Sequence, residues 1–147
     1  STARSMPDTE FHVYGISEPM TAEIRKMQIP RNFFLHGFSD REQLREAFCQ
    51  HTVYAQFSLS EGLPNALCEA MLCGCIPVGS EVNGIPGAIG DDRLTIGKKD
   101  VSEAIKVIRL AQELAPTKTD RYRKRIVELF PTENRRNTFS TLFNFKE

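Results

Sequence analysis

The chain has 147 residues, 40% apolar and 26% charged, values that suit one soluble globular domain with a genuine core. Its 19 Lys and Arg match its 19 Asp and Glu, so no net field draws in nucleic acid. No apolar run approaches the roughly 20 residues that span a bilayer, and the N-terminus carries no secretory pattern.

In chain order, "STARSMPD" (1–8) reads as the tail of a helix, so a first strand and its phosphate loop are expected upstream. Strand patterns follow at "FHVYG" (11–15), "NFFLHGF" (32–38), "TVYAQFS" (52–58), "CIPVGS" (75–80) and "RLTI" (93–96). Helical patterning fills 20–28, 40–50 and 64–73 between them. "SDREQLREAF" offers two overlapping capping boxes, Ser39 with Glu42 and Asp40 with Gln43, ahead of a buried stripe of Leu44, Ala47 and Phe48. "DVSEAIKVIRLAQEL" starts with Asp100 and Glu103 and is expected to bury Val101, Ile105 and Ile108.

Alternating strands and helices at this spacing predict right-handed βαβ units and a doubly wound parallel α/β domain over residues 1–115. Residues 116–147 hold two further amphipathic helices, "DRYRKRIVELF" and "TENRRNTFSTLFNF". Their apolar residues exceed what a sheet edge needs, and they are expected to pack partly on a missing partner domain. The basic run Arg121, Arg123, Lys124 and Arg125 reads as a solvated helix face, with attraction to anionic lipid headgroups as its minority reading. The four cysteines, Cys49, Cys68, Cys73 and Cys75, form no C-x-x-C pair and have no His cluster nearby. They read as small buried thiols of a reducing, cytoplasmic compartment, without a metal. His12, His36 and His51 read as core, strand-end or surface residues.

"LSEGLPNALCEAMLCGCIPVGS" (59–80) carries the chemistry. It sets Glu61 before a Gly62-Leu63-Pro64-Asn65 turn and Glu69 among Leu67, Ala70, Met71 and Leu72. A carboxylate in such company is costly to desolvate unless partnered, which marks both glutamates. A helix starting near Pro64 would leave the N–H groups of Asn65, Ala66 and Leu67 free, an anion site at the positive end of the dipole. Gly62 lets a ligand approach the backbone. Glu69 lies about 7–8 Å along the axis, its side chain leaning back toward the N-terminus. The order is carboxylate, anion hole, carboxylate. It matches the sugar, diphosphate and ribose of a nucleotide sugar.

"SEGLPNALCEAMLCGCIPV" resembles the signature of retaining glycosyltransferases of the two-Rossmann-domain type, family 4, through Glu61, Glu69, Ala70, Met71, Gly74, Pro77 and Val78. "FHVYG", "NFFLHGFSDREQLREAF", "EVNGIPGAI" and "LTIGKKDVSEAI" resemble the flanking elements, so the likeness covers about residues 8–112. It implies a Rossmann-like, donor-binding half of a two-domain enzyme, with a missing N-terminal acceptor domain. It also implies transfer of a hexose from a nucleotide diphosphate sugar to a hydroxyl, with configuration retained, no cofactor and no metal. On that resemblance Glu61 contacts the donor sugar at the reacting carbon and Glu69 holds the ribose. The backbone N–H groups of Asn65, Ala66 and Leu67 hold the phosphates, Gly62, Leu63 and Pro64 belong to the same donor site, and Gly37 and Phe38 border the base. Phe38 as a cap on the core is the competing reading. In the Gly-Ile-Pro loop, Gly87 stands where the family commonly has an acidic residue. The fragment alone is expected not to catalyse.

Two other classes compete. One is a nucleotide-sugar-binding module without transferase activity, and the other an epimerase-like relative. A phosphorylase is disfavoured because no lysine lies between Lys26 and Lys98. A dinucleotide site is disfavoured because no G-x-G-x-x-G follows a strand.

Overall fold

A computed structural model describes residues 2–60, 62, 64–97, 100–115 and 120–131. Glu61 and Leu63, like the second C-terminal amphipathic segment, lie outside the described residues. The described elements run α1 (Thr2–Ser5), β1 (Phe11–Val13), α2 (Glu18–Lys26), β2 (Phe33–Leu35), α3 (Arg41–Gln50), β3 (Val53–Gln56) and α4 (Asn65–Leu72). Then come β4 (Ile76–Ser80), α5 (Gly84–Ile89), β5 (Thr95–Ile96), α6 (Val101–Leu114) and α7 (Arg121–Leu129).

The α/β class read from the alternation is the class observed, and every strand pair is parallel. The ladders fall into two groups, β1–β2 and β3–β4–β5. All five strand segments appear, each shorter than its sequence pattern, and Arg93 and Leu94 form a 3-10 turn ahead of β5 instead of extending it. β4 is buried over four of its five residues, as its apolar run requires. Pro77 fits in it because β5 begins opposite Gly79, beyond the level at which Pro77 would need a donor on that side.

Local chemistry sets the helix starts. Of the two expected capping boxes only the second forms: Gln43 N–H donates to Asp40 Oδ1 at 2.9 Å and Asp40 N–H to Gln43 Oε1 at 3.0 Å. Asp100 caps α6 through Ser102 N–H at 2.7 Å, while Glu103 pairs with Lys106 instead. The buried stripe of α6 is Ala104, Val107, Ile108 and Ala111, and Val101 is exposed, a correction to the expected face. The Gly-Ile-Pro loop is also corrected: it is helical, as α5, closed by Gly90 at φ +64.

The core joins Leu67 and Met71 of α4 to Val78, Ile85, Ile89, Leu94, Val107 and Ile108. α7 seats Tyr122 and Ile126 in the same core. Arg125 is not solvated, as the basic run suggested. Its guanidinium donates to Ala88 O at 2.9 Å and Gly87 O at 2.6 Å, closing the C-terminal carbonyls of α5. Arg121 lies 3.6 Å from Asp91, whose carboxylate is also held by Arg93 at 2.7 Å. Cys75 is buried, its thiol pushed up to about 12 by burial and by the neighbouring cysteines 73 and 49. Cys49 is exposed and Cys68 and Cys73 are half-buried, against the expectation of four buried thiols.

Candidate functional site

In a parallel sheet the carboxyl ends of all strands reach one edge, and the loops that leave it form the ligand crevice. Here the turns after β2, β3 and β4 leave the carboxyl ends of their strands. They carry Gly37 and Phe38, then Gly62 and Pro64, then Gly84. Gly84 N–H donates to Gly62 O at 3.3 Å, tying the second turn to the third.

α4 begins at Asn65, with Pro64 as its N-cap at φ −71 and ψ 120 and no side-chain cap. The sequence placed three free donors here, and the structure takes one of them. Leu67 N–H donates to Pro64 O at 3.1 Å, and its side chain is fully buried. Nothing among the described residues accepts from Asn65 or Ala66 N–H. These two donors sit at the positive end of the helix dipole, where an anion is favoured. The space where Gly62 would carry a Cβ is open, so a ligand can reach the backbone there.

Glu69 overturns the premise that marked it. Its side chain is 43% exposed, so it does not suffer the expected desolvation; its apolar neighbours Leu67, Ala70 and Met71 turn inward instead. Its Oε1 lies 3.8 Å from Arg41 Nη2, at the first residue of α3. Arg41 escaped the sequence reading, although the Asp40 capping box already put it at a helix start. Glu69 thus spans from α4 to the N-terminal end of α3, the element that Gly37 and Phe38 lead into. Phe38 is 90% exposed, which rules out the competing reading of it as a cap on the core.

A cluster that the sequence scattered lies deeper along the sheet. His12 Nδ1 and His36 Nε2 are 3.0 Å apart, and His51 meets the His12 ring edge-on at 4.7 Å between centroids. Tyr14 stacks on His36 at 4.3 Å. Burial first, then the neighbouring His12 and His51, holds His36 below its ordinary value of 6.5. The sequence did not show this because the histidines belong to three different parts of the chain, in β1, after β2 and after α3. Among the described residues, no three or more His, Cys, Asp or Glu side chains are placed to hold a metal ion.

In open α/β sheets, ligands bind in the crevice beyond the carboxyl ends of the strands, where these groups lie. A sequence profile described as "Glycosyl transferases group 1" matches residues 2–113, and the chain belongs to that family. Over 118 residues it is 26% identical to a component of the phosphatidylinositol N-acetylglucosaminyltransferase of Arabidopsis thaliana, covering 78% of this chain and 26% of that protein. It is also 26% identical over 119 residues to the GPI3 component of phosphatidylinositol N-acetylglucosaminyltransferase from Saccharomyces cerevisiae, with the same coverage. The chain therefore spans about a quarter of the length of these curated relatives. A crystal structure of TarM superposes with a TM-score of 0.80 at 24% identity, covering 97% of this chain and 30% of TarM. A TarM point mutant of S. aureus, solved with Fondaparinux, alpha-GlcNAc-glycerol and UDP, gives 0.75 at 19% identity, again covering 97% of this chain and 30% of that one. These two similarities establish the fold.

Proposed function

We propose that this chain is the donor-binding, C-terminal portion of a retaining glycosyltransferase that moves a hexose from a nucleotide diphosphate sugar to an acceptor hydroxyl. The observation that carries the reading is the start of α4, where Asn65 and Ala66 N–H have no acceptor among the described residues, with half-exposed Glu69 on the same helix and exposed Phe38 just before α3. The diphosphate binds those donors, and a helix start is suited to it because no metal need be recruited to neutralise the charge. Glu69, half exposed, accepts from the two ribose hydroxyls. Glu61 contacts the donor sugar, and the ring of Phe38 borders the base. The acceptor, a lipid if the names of the curated relatives are a guide, binds on an N-terminal domain outside this chain. Peripheral contact with a cytoplasmic membrane surface follows from that acceptor.

The test is calorimetry on the longer, two-domain polypeptide with UDP-N-acetylglucosamine and GDP-mannose. One of them is expected to bind, with Glu69→Ala weakening it about 10- to 100-fold, the loss of one or two hydrogen bonds to a charged group. Undiminished affinity in a folded Glu69→Ala protein refutes the ribose role. Binding of neither donor, with unfolding midpoints unmoved, refutes the donor site altogether and favours a relative without transferase activity.

A further inference from the structure

We propose that Cys49 and Cys73 are a reversible redox pair, closed to a disulfide by a peroxide and reopened by a dithiol, that staples the end of α3 to the end of α4. The proposal rests on the thiols alone and stands apart from what the crevice binds.

The fold sorts four cysteines that the sequence crowds together. Cys49 is the next-to-last residue of α3, and Cys73 is the C-cap of α4. Their thiols hydrogen-bond to each other across the two helices. Cys75 lies beneath them. Gly74, at φ +96, turns the chain between it and Cys73. Its thiol donates to Phe48 O at 3.0 Å and to His51 O at 3.4 Å, which docks this turn against the end of α3. That thiol is buried and engaged with carbonyls, so it stays out of the chemistry. Cys68, earlier on α4, packs on the main core instead, whereas Cys73 packs on the cluster of Phe48, Ala70 and Cys75. One pair is left in which two thiols touch and one of them meets solvent.

Exposure assigns the order of events. Cys49 is exposed and is the sulfur that a peroxide reaches first. Cys73 is half-buried. Burial, and then the contact with Cys49, holds its thiol above the ordinary value of 9.0, with Arg45 of α3 opposing them. It therefore suits the second step. The Cys49 thiolate breaks the peroxide O–O bond, takes one oxygen as the sulfenic acid, and one water leaves. The Cys73 thiolate then attacks that sulfur, the S–O bond breaks, and a second water leaves as the S–S bond forms. Two thiols lose two electrons in all, and hydrogen peroxide is reduced to two waters. A dithiol returns both electrons and both protons.

Thiols already in contact need little side-chain movement to reach an S–S distance of about 2.05 Å. The bond would close a loop of about 25 residues that contains β3 and all of α4. It would also hold α3 against α4, whose opposite ends carry Arg41 and Glu69 at 3.8 Å. In a reducing compartment such a bond is transient, as a redox sensor requires.

The experiment treats the longer, two-domain polypeptide with hydrogen peroxide under native conditions, blocks the remaining thiols with N-ethylmaleimide and maps its peptides by mass spectrometry. A linked Cys49–Cys73 peptide pair is expected, lost again after dithiothreitol. The oxidised form should melt about 5–10 °C above the reduced one. Cys73→Ser removes the second thiol, so Cys49 should run on to the sulfinic acid, which dithiothreitol does not reverse, in at least about tenfold greater yield. Linkage of Cys49 to Cys75 or to a second copy overturns the proposal, as does oxidation of Cys49 without any link. An unchanged or lower melting temperature on oxidation overturns the staple. If Cys73→Ser prevents folding, the peptide map of the unaltered chain decides.

Discussion

Gly79 lies at the carboxyl end of β4, directly beneath α5, and replacing it with alanine tests how tightly the site is built. An added Cβ would sit 2.5 Å from Ile85 Cγ2, 3.2 Å from Ile89 Cδ1 and 3.3 Å from the main-chain oxygen of Gln56. Both isoleucines are fully buried and branched at Cβ, so neither can rotate away cheaply. Forcing a methyl into such a contact costs about 1–3 kcal/mol. Alanine recovers roughly 0.4–1 kcal/mol by restricting the unfolded chain. The net loss is then about 1–2 kcal/mol, at about 2–4 °C of melting temperature per kcal/mol for a chain of this size. Urea unfolding followed by circular dichroism measures it. Because relief requires α5 to lift, the Gly84–Gly62 hydrogen bond at the crevice should loosen, and affinity for a nucleotide sugar should fall with stability. An alanine variant as stable as the wild type would refute the close packing of α5 on β4, and with it this account of how the edge is held.

Two other outcomes follow from the geometry. His36 is held below its ordinary value of 6.5 in the folded state, so the unfolded chain binds the proton more readily. Its stabilising effect is therefore complete above about 6.5 and is lost as the pH falls through that value toward the lower folded one. Urea midpoints measured from pH 8 down to 5 should show this decline, and His36→Phe should flatten it. Phe38→Ala should leave the melting temperature unchanged, because the ring is 90% exposed, yet weaken nucleotide-sugar binding measured by calorimetry. A stability loss above about 1 kcal/mol would mean the ring has a packing role after all.

Much of this architecture was written in local chemistry. The five strand segments, the Asp40–Gln43 cap and the helix starting beside Pro64 depend on neighbours in sequence, through hydrogen bonds and side-chain periodicity that span a few residues. The Gly-Ile-Pro segment was missed because two glycines and a proline read as a loop, and only its burial of Ile85, Ala88 and Ile89 against β4 makes a helix there worthwhile. Tertiary structure alone decided that Glu69 faces outward beside Arg41, that Arg125 closes α5, and that three histidines from three elements share one cluster. It also decided that the thiols of Cys49 and Cys73, at the ends of different helices, come into contact. A residue's own neighbours can say which way its backbone runs. They cannot say which distant chain comes to lie beside it, since that is settled by apolar burial across the whole fold.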